Sequence, residues 1–507
     1  MTRQQQTIAL LPPARAAKLN SNRMLMLLLL SLCSICSSFA QAQEKPNIVY
    51  VLCDDLGYGD VQCLNPDRGK IPTPGIDRLA SEGMVFTNAH SGSSVCTPTR
   101  YGLLTGRYSW RTRLQRGVVQ GFAPCLIAED QPTVASYLKE QGYHTAIIGK
   151  WHLDFLYQDP TTGKKIKRKG KKALAPVGSK IPDGPIHRGF DYFHGFHHAR
   201  EMKGVIENDT VIEHDDEINM LPRLTRKAVE YLDQRAKTKD QPFFLYVPYG
   251  SPHSPVLPTK EWQGKSGLNE YADFVMETDD GFKQILEALD RNAMVDNTLV
   301  IFTSDNGCSR NQAKTEKLEK LGHFPSAHMR GSKADLWDGG HCIPFVVRWP
   351  GKVEANSTTD QLVCLTDLMA TCQEILKQPL PENCAQDSVS ILPALSGQPI
   401  VSTRAGVIHH SISGHFGYRQ GKWKLLLAKG SGGWSSPNEK QSKDAPIAQL
   451  YDIQADPGET TNLYQSQPEV AARLLEQLES DVARGRSTDG PTAKNDVDNI
   501  KLWKSGK

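Results

Sequence analysis

The clearest pattern in the chain is a short, unbroken apolar run that halts at polar residues. It occurs as Asn47-Ile-Val-Tyr-Val-Leu52 and returns at residues 143–148, as Phe243-Phe-Leu-Tyr-Val247, as Thr298-Leu-Val-Ile-Phe-Thr303, and at residues 342–349. Runs this short, without polar alternation, predict strands buried on both faces. Between them, helices are expected over residues 76–84, 133–141 and 366–376. Tyr271, Phe274, Val275, Phe282, Ile285, Leu286 and Leu289 recur at steps of three and four, the spacing of an amphipathic helix. Strands alternating with helices predict an α/β fold, a large mixed, mostly parallel sheet sandwiched by helices. After about residue 390 the rhythm changes. Short strands at 406–410, 418–428 and 449–453, joined by Gly/Ser-rich turns, and a closing helix at 468–484 predict a smaller C-terminal antiparallel sheet packed with a helix. The expected division is a main body at 43–390, a C-terminal subdomain at 391–485 and a loose polar tail at 486–507.

The first 42 residues read differently. Arg3, Arg15, Lys18 and Arg23 precede the apolar run from Met24 to Cys33, and Ala40-Gln-Ala42 supplies small residues for cleavage. This is the pattern of a secretory signal peptide, with Met24 an alternative start, and it predicts an exported protein, periplasmic or extracellular. No run approaches the ~20 apolar residues of a membrane span.

Charge narrows the partners. With 59 basic and 56 acidic residues in 507, the net charge of +3 excludes a general nucleic-acid binder, so attraction to an anion has to be local. One local excess exists, the basic stretch at residues 163–172, read either as a solvated surface hairpin or as a landing strip for a polyanion. Of the 11 cysteines, Cys33 and Cys36 leave with the leader. The others permit disulfides without requiring them. None has zinc-ligand spacing, so a metal is expected on oxygen donors.

Several short motifs carry chemistry. Asp54-Asp55 follows the first apolar run, and Asp305-Asn306-Gly307 follows the run ending at Thr303. Both sit where a strand ends, the place where open α/β sheets bind ligands, and their oxygens suit a hard cation. Ser94-Val-Cys96-Thr-Pro98-Thr-Arg100 suits a helix starting about position 96, whose N-terminus favours an anion. Gly149-Lys150-Trp-His152 ends another strand, Ser251-Pro-His253-Ser-Pro255 follows a fourth, and Lys333 lies in Met329-Arg-Gly-Ser-Lys-Ala-Asp335.

The Cys-x-Pro-x-Arg core resembles the signature of the type I, formylglycine-dependent sulfatases of the alkaline-phosphatase-like superfamily. The resemblance runs from Lys45 to about Tyr464 and takes in His187-Arg-Gly-Phe-Asp191, Gly421-Lys-Trp-Lys424 and Asp456-Pro-Gly-Glu459. It implies an arylsulfatase-like hydrolase of sulfate esters in which Cys96 is oxidised to formylglycine by a maturation enzyme. One hydroxyl of the hydrated aldehyde would attack sulfur to give a covalent sulfoenzyme, and the other would expel sulfate, a release that a serine could not achieve. It also implies one calcium ion on Asp54, Asp55, residue 96, Asp305 and Asn306. Arg100 would hold the diol and ligands together, Lys150 and Lys333 would meet sulfate oxygens, His152 would take the diol proton, and His253 would protonate the leaving alcohol. Thr99 departs from the serine or alanine of many relatives. The expected substrate is a sulfated carbohydrate, with His323, His341, Arg200 and the basic stretch as candidate sugar contacts. Two alternatives stay open, a formylglycine-dependent phosphonate or phosphodiester hydrolase, and a non-catalytic binder of sulfated polymers if Cys96 is unmodified.

Overall fold

Five parallel strands form the middle of a ten-stranded mixed sheet: β1 (Asn47–Asp54), β2 (His144–Lys150), β3 (Tyr192–Phe196), β4 (Phe243–Pro252) and β5 (Thr298–Ser304). They lie side by side in the order β5-β1-β4-β2-β3. Phe345–Arg348, antiparallel to β5, begins one flank, and Gly204–Glu207 with Thr210–His214 closes the other. This computed structural model describes residues 45–504 apart from 169, 171–173, 239, 382 and 402. The leader and part of the basic stretch lie outside those residues.

The alternation of β1 shows why its sequence has no polar face. Ile48, Tyr50 and Leu52 enter one core layer, and Val49, Val51 and Cys53 enter the other. A strand covered by helices on both sides has no wet face to encode. Helix α1 (Cys96–Thr105) lies over the first layer through Tyr101, Leu103 and Leu104. Helix α2 (Glu270–Arg291) buries its seven expected apolar positions in the second. Its start is capped by the Asn269 side chain, which accepts from the Ala272 N–H at 3.0 Å.

The C-terminal sheet is antiparallel, and its order follows the chain: Val407–His410, Phe416–Gln420, Trp423–Leu426 and Gln449–Asp452. Leu474 and Leu478 of the helix Pro468–Ala483 pack on Val407, Leu425 and Leu450. The single strand expected at 418–428 is a hairpin, turned at Gly421 with φ +54°, a conformation costly for residues with a Cβ.

The tail from Gly485, expected to be loose, is fastened to the body. Arg107 and Arg111 are buried guanidiniums that need partners. Asp496 accepts from Arg107 at 2.9 and 3.1 Å, and the Asn495 side chain accepts from Arg111 at 3.0 Å. Among the described residues the cysteines are unpaired thiols, and no helix is long and apolar enough to cross a membrane.

Candidate active site

The carboxyl ends of the five parallel strands converge, and each delivers a polar residue. β1 ends in Asp54-Asp55, β5 leads into Asp305-Asn306, β2 into Lys150 and His152, β4 into His253, and β3 into His197-His198. Asp54, Asp55, Asp305, Asn306 and Arg100 have no exposed surface, and Lys150 is 1 % exposed. Gly149 shows how tight the approach is. Its φ is +149°, and a Cβ there would lie 2.1 Å from the Pro248 carbonyl oxygen.

Opposite charges fill this crevice. The Lys150 ammonium contacts Asp54. Lys333 donates to both Asp55 oxygens at 2.6 and 2.7 Å. Arg100 donates through Nε and Nη2 to Asp305 Oδ2 at 3.0 and 2.8 Å, and through Nη1 to the Lys150 carbonyl at 3.0 Å. Three carboxylates thus balance three cations. Such a buried set is stable only when its hydrogen-bonding capacity is used. Two oxygens break that condition, because Asp54 Oδ1 and Asn306 Oδ1 are buried without a hydrogen-bond partner. Donor atoms of Asp54, Cys96 and Asp305 also lie within 4.8 Å of one another. Hard oxygen donors left unpaired beside a cluster of carboxylates fit calcium or magnesium.

The titration pattern sets two of these carboxylates apart. Burial opposes ionisation of Asp54, yet Lys150, His253, Arg100 and Lys333 hold it below the usual carboxylate range. Burial and the charge on Asp54 push Asp305 up to about 7, against the pull of Arg100. Two carboxylates buried side by side split in this way, because the ionised one disfavours a second negative charge next to it.

Cys96 opens α1 and is 3 % exposed. Val95 offers no side-chain cap at that helix start, and Pro98 removes one N–H that would otherwise need a partner. The remaining donors favour a negative group there. Thr99, the departure from many relatives, ties its hydroxyl to the carbonyls of Ser93 and Val95 at 2.9 and 3.1 Å. Burial raises the Cys96 thiol above its ordinary range.

The two histidines present different faces. His152 Nε2 donates to the Val119 carbonyl at 3.2 Å, which leaves Nδ1 as a buried lone pair without a partner. His253 Nδ1 donates to the Ser254 carbonyl at 2.6 Å, and its Nε2 lies 3.8 Å from Asp55 Oδ2. Burial, then Lys333, brings His253 down to about 4. His152 and Asp55 also hold φ values of +54° and +66°, uncommon for side chains of their kind and fixed here by the surrounding bonds. The Asp55 N–H, for instance, donates to Asp305 Oδ1 at 3.2 Å.

Every residue expected at the site is therefore brought to one crevice. Two expected sugar contacts are not on any surface. His323 is fully buried, accepts the Lys70 N–H at 3.0 Å and meets Asp60 at 2.8 Å. His341 is equally buried, stacked on His409 at 3.8 Å between centroids and 3.0 Å from His90 Nδ1. Both are satisfied interior histidines. Arg200 is exposed, and Gln120 receives bonds from it and from Arg168 of the basic stretch. Sequence reasoning missed His197, His198 and Glu201, whose ligand atoms lie within 4.8 Å of one another. No local signal marks them, because His194 and Gly195 break the stretch Phe193-His-Gly-Phe196 that leads up to them.

Comparison with known proteins agrees with this geometry. Residues 46–377 match the sulfatase family model, and residues 332–486 match the C-terminal model of N-sulphoglucosamine sulphohydrolase. The N-acetylgalactosamine-6-O-sulfatase of Bacteroides thetaiotaomicron is 32% identical over 484 residues, covering 87% of this chain and 94% of that protein. Human arylsulfatase A is 29% identical over 459 residues, covering 83% of each. A solved sulfatase from a B. thetaiotaomicron locus for the metabolism of multiple glycosaminoglycans superposes with a TM-score of 0.74 at 30% identity, covering 86% of this chain and 99% of that one. On this evidence the chain belongs to the sulfatase family and is a sulfuric ester hydrolase.

Proposed function

We propose that this protein is an exported sulfatase that removes sulfate from sulfated carbohydrate, using formylglycine at position 96 and one calcium ion held by Asp54, Asp55, Asp305 and Asn306, with residue 96 completing the site. The observation that carries this reading is the pair of unpartnered buried oxygens, Asp54 Oδ1 and Asn306 Oδ1, set among Cys96, Arg100, Lys150 and Lys333. The leader-like N-terminus supports export. The relative named for N-acetylgalactosamine-6-O-sulfate supports a sulfated amino sugar as substrate.

A bound divalent cation supplies charge that polarises a sulfate oxygen and offsets the three carboxylates. Hydrated formylglycine supplies one hydroxyl that attacks sulfur and a second that permits sulfate release. The chain's own residues do the rest. Each lysine ammonium has three donors, and Asp54 takes one from Lys150, so donors remain for sulfate oxygens. Arg100 locks Asp305 to the end of β2 and holds the crevice in register. His152 Nδ1 is already in the tautomer that accepts a proton. His253 needs a proton on Nε2 to serve a leaving alcohol, and an anionic ester that offsets Lys333 favours that protonation.

Two measurements test the proposal. Peptide mass spectrometry should find the aldehyde in place of the Cys96 thiol, and sulfate should be released from at least one of a panel of defined sulfated amino sugars. An intact thiol throughout, with no sulfate release, would overturn it. Faster hydrolysis of nitrophenyl phosphate esters than of nitrophenyl sulfate would overturn the ester assignment alone.

A further inference from the structure

Buried polar atoms without partners are uncommon, and each needs an explanation. Five of them gather at one place outside the charge cluster described above: His152 Nδ1, His197 Nδ1, both ring nitrogens of His198, and Glu201 Oε1. The last three residues are 0, 5 and 2 % exposed. The place is set by the sheet. Lys150 pairs with Phe196 across β2 and β3, the Trp151 N–H donates to the Phe196 carbonyl at 3.0 Å, and the His152 N–H donates to the His197 carbonyl at 2.8 Å. His197 and His198 therefore leave the sheet directly beside His152, with ring centroids 5.9 and 5.3 Å from its own.

The tautomer of His197 is fixed by its partners. The Asp154 N–H donates to His197 Nε2 at 3.0 Å, so the ring proton sits on Nδ1, which faces Glu201 Oε2 from 3.8 Å. Tyr157 donates its hydroxyl to the same Oε2 at 2.9 Å. Glu201 Oε1 is left facing His198 Nδ1, also at 3.8 Å. These gaps are too wide for a hydrogen bond. Two histidines and a carboxylate suggest a metal at first sight, but a protonated Nδ1 cannot ligate, and moving that proton to Nε2 would set it against the Asp154 N–H. What fits between an N–H, an unpaired imidazole and an unpaired carboxyl oxygen is a group that both donates and accepts.

We infer that His197, His198 and Glu201 form a hydroxyl-recognising subsite beside the reacting centre, which holds a ring hydroxyl of the sugar that carries the sulfate. This deepens the proposed function and rests on it. The hydroxyl pairs with Glu201 Oε1 and with an unpaired imidazole nitrogen, donating to one and accepting from the other, and Tyr157 and Asp154 act as positioning residues that fix the carboxyl group and the His197 tautomer.

The test compares 6-sulfated N-acetylgalactosamine, its 3-deoxy and 4-deoxy analogues, and nitrophenyl sulfate, which has no sugar hydroxyl. The wild-type enzyme should prefer the full sugar over one deoxy analogue by about 30-fold or more in kcat/KM. Glu201→Ala and His198→Ala should each shrink that preference to less than about fivefold and lower the ratio of sugar to nitrophenyl sulfate turnover. Circular dichroism of Glu201→Ala confirms the fold. The subsite is overturned if wild-type and variants discriminate the deoxy sugars equally, if both substrates fall in parallel, or if one zinc per chain is bound and lost in His198→Ala. Failure of the proposed function has a different signature, because wild-type protein would then release no sulfate even from nitrophenyl sulfate.

Discussion

Two buried clusters of carboxylates and lysines sit in this molecule, and they have opposite characters. In one, at the C-terminal sheet, Lys424 donates to Asp338 at 2.6 Å and to Glu459 at 2.7 Å, while the Asp338 N–H donates to the other Glu459 oxygen at 2.6 Å. None of its atoms is among the unpartnered ones. The other, at the strand ends, also joins lysines to carboxylates at similar distances, and it leaves Asp54 Oδ1 and Asn306 Oδ1 unpaired. The closed cluster ties Trp423–Leu426 to the turn at Asp338 and to the loop carrying Glu459. The open one keeps capacity for a cation and an anion. Buried charge alone is thus no sign of a reaction centre, and leftover hydrogen-bonding capacity is the discriminating feature.

The contrast can be broken in graded steps. Cys96→Ala should cut kcat on nitrophenyl sulfate by at least about 10⁴-fold while the thermal midpoint moves by no more than about 2 °C, because the nucleophile is lost and little volume with it. Chelation of divalent ions should lower kcat/KM by about 100-fold or more, restored by calcium, and Asp305→Asn should abolish the restoration. Neither treatment should disturb the closed cluster. Lys424→Met, by contrast, should destabilise the fold by about 3–5 kcal/mol in urea melts, since it strands Asp338 and Glu459, and should leave the folded fraction's calcium response intact.

The smallest effect concerns Glu201. Burial pushes its carboxyl up to about 8, above the ordinary glutamate value of 4.5 that holds in the unfolded chain. The folded state therefore holds the proton more tightly, and stability should fall as pH rises between those values. The Glu201→Gln variant should flatten that fall, by about 2 °C in the thermal midpoint between pH 5 and 8.

The strand ends were legible because burial on both faces forces an unbroken apolar run, and Asp54, Asp55, Asp305 and Asn306 follow such runs directly. Lys333 and Arg100 were found through motif resemblance, since nothing in their local pattern foretells Asp55 and Asp305 as partners. The edge from Tyr192 to His214 was not legible. Its strands are short, His194 and Gly195 break the first, and only Thr210–His214 has exposed positions, so neither an apolar run nor a clean alternation appears. His197 and His198 went unread for that reason, as their meaning depends on β3 lying next to β2. His90, His341 and His409 come from three distant segments and meet only in the folded core.

The seal on Arg107 also sets a timetable. The carboxylate that receives this guanidinium lies 389 positions further along, and the arginine itself ends the loop after the helix that Cys96 begins. A ribosome threads the chain outwards from its start. Until Asp496 emerges, that helix lacks its clasp, so this corner of the fold closes only when nearly the whole chain has been made.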